Sequence, residues 1–299
     1  MRVALAAVLV LCALEVGGSL RSGSLALLGD AAHLLTDAGT LGLAWYAVAS
    51  SRRSSTARHT FGFHRTGILV AAVNGTALLV IAAVIAAAAI LRLRQPVSID
   101  AVPVLVIAAV AVAVNGGLAA LLFKAGQELS VRSAMLHVTA DAVASAGVVL
   151  SAAVILITGW HGADALVSLG ISALIAAGAV TLLREAFHIL AEATPKDVDS
   201  EAVRRVFART SGIEDVHDLH IWSLDRGHRA LSAHVTVADR PLVEVTALLR
   251  QLETLLCEEF GIEHATLQPE CPSCTAEAPL YCDIDARHEV MHASTPNDL

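Results

Sequence analysis

Apolar residues fill the first two thirds of this chain in six long blocks, roughly 3–20, 25–50, 66–91, 101–123, 132–158 and 163–188. Each is close to or beyond the ~20 largely apolar residues that a helix needs to cross a bilayer, so the pattern predicts six membrane spans. The first block has only Arg2 as a charged lead and no clear small-x-small cleavage site, and a second block follows closely. It therefore reads as a span and not as a signal peptide. An even number of spans leaves both termini on one side. Past Pro195 the pattern changes. Residues 198–210 predict a short amphipathic helix. Residues 213–224 and 228–238 alternate as strands joined by Asp225-Arg226-Gly227. Residues 241–260 predict a helix opened by Pro241, and 262–269 a third strand. An α-β-β-α-β order predicts a small two-layer α+β domain. The expected division is a six-span transmembrane domain over 1–192, a cytosolic domain over 193–270 and a Cys-containing flexible tail over 271–299, aperiodic from 275 on.

Composition sharpens this boundary. The chain is 56% hydrophobic, above the roughly 45–50% of soluble domains. Up to residue 190 there are 8 acidic and 11 basic residues; from 191 on there are 20 acidic and 9 basic. An apolar membrane body is thus followed by an acidic domain, whose field attracts cations and argues against nucleic acid as a partner. Eight basic residues (Arg2, Arg52, Arg53, Arg58, Arg65, Lys124, Arg132 and Arg184) fall on the side of the termini, against Arg21, Arg92 and Arg94 on the other. The excess places both termini in the cytoplasm. Arg outnumbers Lys 18 to 2, as in GC-rich bacterial genomes, so the expected location is a bacterial inner membrane.

Within this body one spacing occurs twice. His33 and Asp37 form His-x-x-x-Asp in the second block, and His137 and Asp141 form it again in the fifth. Residues four apart lie on one helix face, one turn above each other. Ionisable groups at membrane depth are expensive and usually face a bundle interior or an aqueous path. Two imidazoles and two carboxylates make a closed tetrahedral site for a divalent ion, with zinc favoured, and two carboxylates neutralise it. A metal site inside the membrane points to transport. Asp30 and Asn74 are candidate outer ligand-orienting or pathway residues. Glu15, Asn115 and Asp164 are open to the same reading, and all five are equally compatible with helix-helix hydrogen bonds. His59 and His64, between the second and third spans, sit among arginines; they offer a weak second metal site but read first as incidental to a positive-inside loop.

The acidic domain carries a second candidate set. His217, Asp218 and His220 share one predicted strand, on which His217 and Asp218 face opposite ways; His234 lies on the next, and His264 and Glu270 on the third. Cys271 and Cys274 follow as C-x-x-C, a common zinc half-site. His217, His220, His234, His264, Glu270, Cys271 and Cys274 are therefore candidate ligands of a regulatory or structural metal.

Together these residues resemble the cation diffusion facilitator family, within it the zinc exporters. The resemblance rests on the run from Ser24 to Asp37, on Thr60-Phe61-Gly62-Phe63-His64-Arg65, on His137-Val138-Thr139-Ala140-Asp141, and on the run from His217 to Leu224. It implies a homodimer with a ferredoxin-like, metallochaperone-like cytosolic domain, which exports zinc, with cadmium or cobalt as further candidate cargo, from the cytoplasm in exchange for protons by alternating access. His33 favours zinc. The resemblance further implies an interlocking ion pair of Arg65 with Glu192, or with Glu185. The chain departs from the family at Phe63, where a second loop histidine falls in members with a loop metal site, and at Gly67, which replaces a common Glu. An intramembrane zinc hydrolase and a membrane-bound metal sensor are the alternatives. Four closing ligands without His-Glu-x-x-His disfavour catalysis, and a sensor does not explain ligands at membrane depth.

Overall fold

The computed structural model describes residues 2–51, 55–125, 129–225 and 227–272; the side chains of 2–8, most of 36–50 and most of 121–137 lie outside the description. Cys274 and the aperiodic tail also fall outside it. The chain divides into two compact units. One comprises Met1–Ser54 and Leu69–Glu185; the other comprises Ser55–Ile68 and the chain from Ala186 on. The loop before the third span thus groups with the second unit, a discontinuity that contiguous ranges do not express.

Six helices follow the six apolar blocks: α1 Arg2–Ser22, α2 Leu25–Ser51, α3 His64–Arg94, α4 Ala101–Ala125, α5 Leu129–Thr158 and α6 Gly162–Leu190. Among the described residues, His64–Arg94, Ala101–Ala120, Val138–Thr158 and Gly162–Leu190 are long and apolar enough to cross a membrane, and Leu25–Leu35 is a shorter apolar stretch of α2. The interior is lined by small residues, including Ala26, Ala82, Ala108, Ala111, Ala152 and Ala179, while Leu20, Val73, Ile157 and Leu174 point outward. Small side chains let helix backbones approach closely, and large apolar ones suit a lipid-facing surface.

The turn between α1 and α2 shows how buried polarity is handled. Gly23 takes φ 76°, which L side chains adopt at a cost. Beyond it, the carboxylate of Asp164 accepts from the Ser24 hydroxyl, from the Leu25 N–H at 2.8 Å and from the Ala26 N–H at 3.4 Å. Asp164 belongs to α6 but caps α2, meeting unpaired N–H groups and the positive end of the helix dipole. Of its two sequence readings, the helix-helix hydrogen bond is the one observed.

The second unit contains α7 Ser200–Arg209, β1 Ile213–Ser223, β2 Arg229–Val237, α8 Leu242–Phe260 and β3 Ile262–Glu270. These match the predicted elements to within two residues. The sheet order is β1-β2-β3, antiparallel between β1 and β2 and parallel between β2 and β3, with α8 as the crossover. α7 and α8 touch each other and pack on β1 and β3. Asp199 caps α7 by accepting from the Glu201 N–H, and Gly261 ends α8 in the left-handed conformation, φ 63°. Phe207, Leu219, Leu231, Leu252, Leu256 and Ile262 form the core. β3 is an edge strand and carries Pro269 opposite Val235.

One local feature departs from the strand pattern. The β1–β2 register shifts between His217 and His220, and Asp218 adopts φ 53°. A bulge inserts an extra residue and breaks strict alternation. The expectation that His217 and Asp218 face opposite ways is thereby corrected: Asp218 Oδ2 lies 3.4 Å from His234, in the cluster that His217 joins, while Oδ1 meets His220.

Candidate metal centre

In the first unit, His33 on α2 and Asp141 on α5 meet, with Nε2 and Oδ1 3.0 Å apart. Asp141 is nearly buried, its side chain 8% exposed, and His33 is 24% exposed. One half of each repeated motif is thus directly joined across 108 residues of sequence. Asp37 lies one turn after His33 on α2, and His137 one turn before Asp141 on α5. The side chains of Asp37 and His137 lie outside the described residues. Asp30, one turn before His33, is buried and accepts from the Ser145 hydroxyl of α5 at 2.7 Å. Among the described residues, the buried Asn74 amide nitrogen and both buried carboxylate oxygens of Glu15 have no hydrogen-bond partner.

In the second unit, three candidates converge. His217 Nε2 lies 3.3 Å from Glu270 Oε2, and His234 Nδ1 lies 2.8 Å from Glu270 Oε1. The ligand atoms of the three side chains all fall within 4.8 Å of one another, and His217 and His234 pair directly across β1 and β2. His234 Nδ1, despite its short distance to Glu270, makes no aligned hydrogen bond. Its other ring nitrogen faces Asp218 Oδ2 at 3.4 Å. A carboxylate behind a histidine is the arrangement that fixes the ring and its tautomer in metal sites. Asp218 was legible only as a strand neighbour, because the bulge that turns it inward has no signature in a period-two pattern.

The other candidates are placed elsewhere. His220 pairs with Asp218 at 3.0 Å. His264 packs edge-on against Phe61, with ring centroids 5.3 Å apart. Neither falls in the group of His217, His234 and Glu270. Cys271 is disulfide-bonded, and a disulfide sulfur is not the thiolate that binds zinc, so its candidacy as a ligand applies to the reduced chain. His59 is exposed and contacts Thr56. His64, by contrast, is not incidental: it meets Asp225 and His228, neither singled out as a ligand by the sequence. Burial opposes the charge on Asp225. Hydrogen bonds from the Gly227 N–H, the His228 and His64 rings and the His228 N–H outweigh it and hold the carboxyl below its usual range. The hydrogen bond with Asp225 raises His228 against partial desolvation, aided by the charges of Asp225 and Glu263.

Arg65 donates to Glu192, Nη2 to Oε1 at 2.7 Å. Glu192 sits at φ 57° just past α6. Left-handed backbone disfavours a side chain by about 1–2 kcal/mol. The acidic candidate Glu192 thus meets Arg65.

Comparison with known proteins gives a consistent picture. The profile for the cation efflux transmembrane domain matches residues 1–191, and that for the cytoplasmic domain of cation efflux proteins matches residues 195–271. A cadmium, cobalt and zinc/H+-K+ antiporter of Bacillus subtilis is 35% identical over 273 residues, covering 90% of this chain and 88% of that protein. Zinc transporter ZitB of Pectobacterium atrosepticum is 37% identical over 289 residues, covering 95% and 88%. Among solved structures, the metal-bound C-terminal domain of the CzcD transporter from Cupriavidus metallidurans is 36% identical over 24% of this chain and 99% of that one, with a TM-score of 0.23.

Proposed function

The chain belongs to the cation efflux family of multi-pass membrane proteins, and from that premise we propose that it is a homodimeric antiporter that carries zinc out of the cytoplasm against protons. The observation that carries this reading is the His33–Asp141 contact at 3.0 Å. An imidazole and a carboxylate this close can hold a proton between them. A divalent ion binds the unprotonated forms of both groups, so zinc and proton compete for one place. Asp37 and His137, one turn away on the same two helices, complete a four-ligand set. His is suited to the exchange because its unperturbed pKa is near 6.5. Asp30, tied to Ser145, and Asn74 orient the set or line the path to it. Rocking of the helices then presents the site to either face, loaded with zinc one way and with protons the other.

The excess of basic residues on the side of the termini supports a cytoplasmic location for both. In the soluble unit, His217, His234 and Glu270 hold a zinc ion, with Asp218 orienting His234. The two lone-pair-bearing atoms of His234 and Glu270, 2.8 Å apart without an aligned hydrogen bond, are relieved by a cation between them. The relatives named for cadmium and cobalt support those ions as further cargo. The test is flux in proteoliposomes holding a pH-sensitive dye. A zinc gradient should move protons the other way, and a pH gradient should drive zinc uphill. Zinc flux indifferent to the pH gradient overturns antiport, and absence of flux with intact zinc binding favours a sensor.

A further inference from the structure

Apart from these centres, three side chains from two distant segments of the chain converge at the start of α3. His64 Nδ1 lies 2.8 Å from Asp225 Oδ2, across 161 residues of sequence. His228 Nδ1 lies 2.9 and 3.0 Å from the two oxygens of the same carboxylate. The two imidazoles sit 4.7 Å apart, tilted by 59°. We infer that His64, Asp225 and His228 form a further site for a divalent ion of the zinc class, exchangeable with solvent, which fastens the loop leading into α3 to the β1–β2 turn.

The donor set is the first argument. Two imidazole nitrogens and a carboxylate oxygen all fall within 4.8 Å of one another. A tetrahedral ion with bonds of about 2.0–2.2 Å holds its ligand atoms about 3.3 Å apart. Small ring movements therefore open the cluster enough to admit an ion. Two imidazoles with one carboxylate select zinc, cobalt or cadmium over magnesium or calcium, which take oxygen ligands.

Preorganisation is the second. The Gly227 N–H at 2.7 Å and the His228 N–H at 2.9 Å both donate to Oδ1 of Asp225. The turn thus fixes the carboxylate. A turn needs those two bonds and no histidine; the convergence of two rings on the same group from segments so far apart is what it leaves unexplained. Behind His228, Glu263 Oε2 lies 3.6 Å from Nε2, on the far side of the ring from Asp225, where an orienting carboxylate belongs.

Exposure sets the character of the site. His228 is 44% exposed, His64 23% and Asp225 18%. Three protein ligands with water reaching the fourth position make an exchangeable site, in contrast with a closed structural one. The loop and turn are joined when the ion is bound, and Arg65, beside His64, carries that restraint to Glu192. Nothing in this inference requires the protein to transport.

The test uses the purified full-length protein in detergent. Equilibrium dialysis against zinc, and cobalt binding followed by visible absorption, count ions per chain for the wild type, His228→Asn and Asp225→Asn. Each variant should lose one ion per chain, or bind it at least tenfold more weakly, independently of a Glu270→Gln loss. Asp225 also holds the turn, so His228→Asn, half exposed and outside the core, decides the matter if Asp225→Asn misfolds. Hydrogen exchange over 59–66 should slow on adding zinc in the wild type and not in His228→Asn. Unchanged stoichiometry and affinity in the folded variants overturn the site. Zinc protection of 59–66 that survives His228→Asn overturns the fastening. Both readouts are independent of flux, so a failure of transport leaves them standing.

Discussion

The six long helices bury alanine and serine alongside Leu27, Val104, Val148 and Ile171 and turn many other leucines, valines and isoleucines outward, whereas the α+β unit keeps nearly all of its large apolar side chains inside, Phe207, Leu219, Leu231, Leu252 and Leu256 among them. Among the described residues from 195 on, Leu242 and Val243 are the large apolar side chains that stand exposed. The contrast follows from the surroundings. In water, taking a large apolar side chain out of solvent stabilises by about 1.5–3 kcal/mol, so such side chains go inside. In lipid that gain vanishes, and close approach of backbones with buried hydrogen bonds decides what is inside. Ser24 with Asp164, and Ser145 with Asp30, are such bonds. A large apolar side chain at the surface is therefore common in the helical body and rare in the α+β unit.

The sharpest break in that comparison is where His33 meets Asp141 inside the helical body. His33→Ala or Asp141→Ala should lower zinc flux in proteoliposomes by more than about 100-fold, since even partners behind ligands cost about 10–100-fold. Folding should be intact by size-exclusion chromatography. Near-normal flux in both variants removes the intramembrane site. Next come the cores. Leu252→Ala should destabilise the soluble unit by about 2–5 kcal/mol, because it leaves a cavity. Thermal or denaturant unfolding of the full chain measures it. In the body, the damaging change runs the other way: Ala108→Leu, at a fully buried position, should cost about 1–3 kcal/mol by overpacking, while Ile157→Ala, 84% exposed, should stay within about 0.5 kcal/mol. An Ile157→Ala loss as large as that of Leu252→Ala would show that the body is stabilised as a water-soluble core is.

Metal gives an intermediate effect. With free zinc at about 100 times the dissociation constant, a site present only in the folded state adds about 2.7 kcal/mol. Zinc should raise the melting temperature of the wild type, and Glu270→Gln should remove much of that rise. An equal rise in the variant would exclude His217, His234 and Glu270 as the stabilising site. The smallest effect belongs to Arg65 and Glu192, whose side chains are 40% and 59% exposed. Such a pair is worth about 0–1 kcal/mol. Glu192→Gly, which removes the pair but relieves the left-handed backbone, should be near neutral for stability while reducing flux. A wild-type flux in Glu192→Gly would show that the pair has no part in coupling.

The two regions were also unequally legible. Apolar length alone located all six long helices, because a span must satisfy its own hydrogen bonds and only a helix of sufficient length does so. The soluble elements followed from alternation, Pro241 and the Asp225-Arg226-Gly227 turn. What the sequence hid was local or distant. The bulge at Asp218 shifts register by a residue without changing composition, so the strand reading sent Asp218 to the wrong face. Asp164 caps α2 from 139 residues away, and no spacing rule connects them. His64 appeared incidental because its partners, Asp225 and His228, flank a turn that was read only as a turn. The repeated His-x-x-x-Asp was legible because both halves obey helical periodicity.

Pro269, on the outer strand β3, carries a consequence for how copies of this chain associate. A proline has no N–H to offer, and a strand tolerates it only where that side faces no partner. The outer rim of the sheet therefore lacks a donor near the end of β3, within two residues of Cys271 and next to Glu270. Another strand adding along that rim would lose a rung of its ladder there, as natural sheets arrange to avoid uncontrolled edge growth. The rim is thus a poor template for continuing the sheet from one chain to the next. A second unit is thereby turned away from the end of β3, which leaves Glu270 free of backbone traffic on that side.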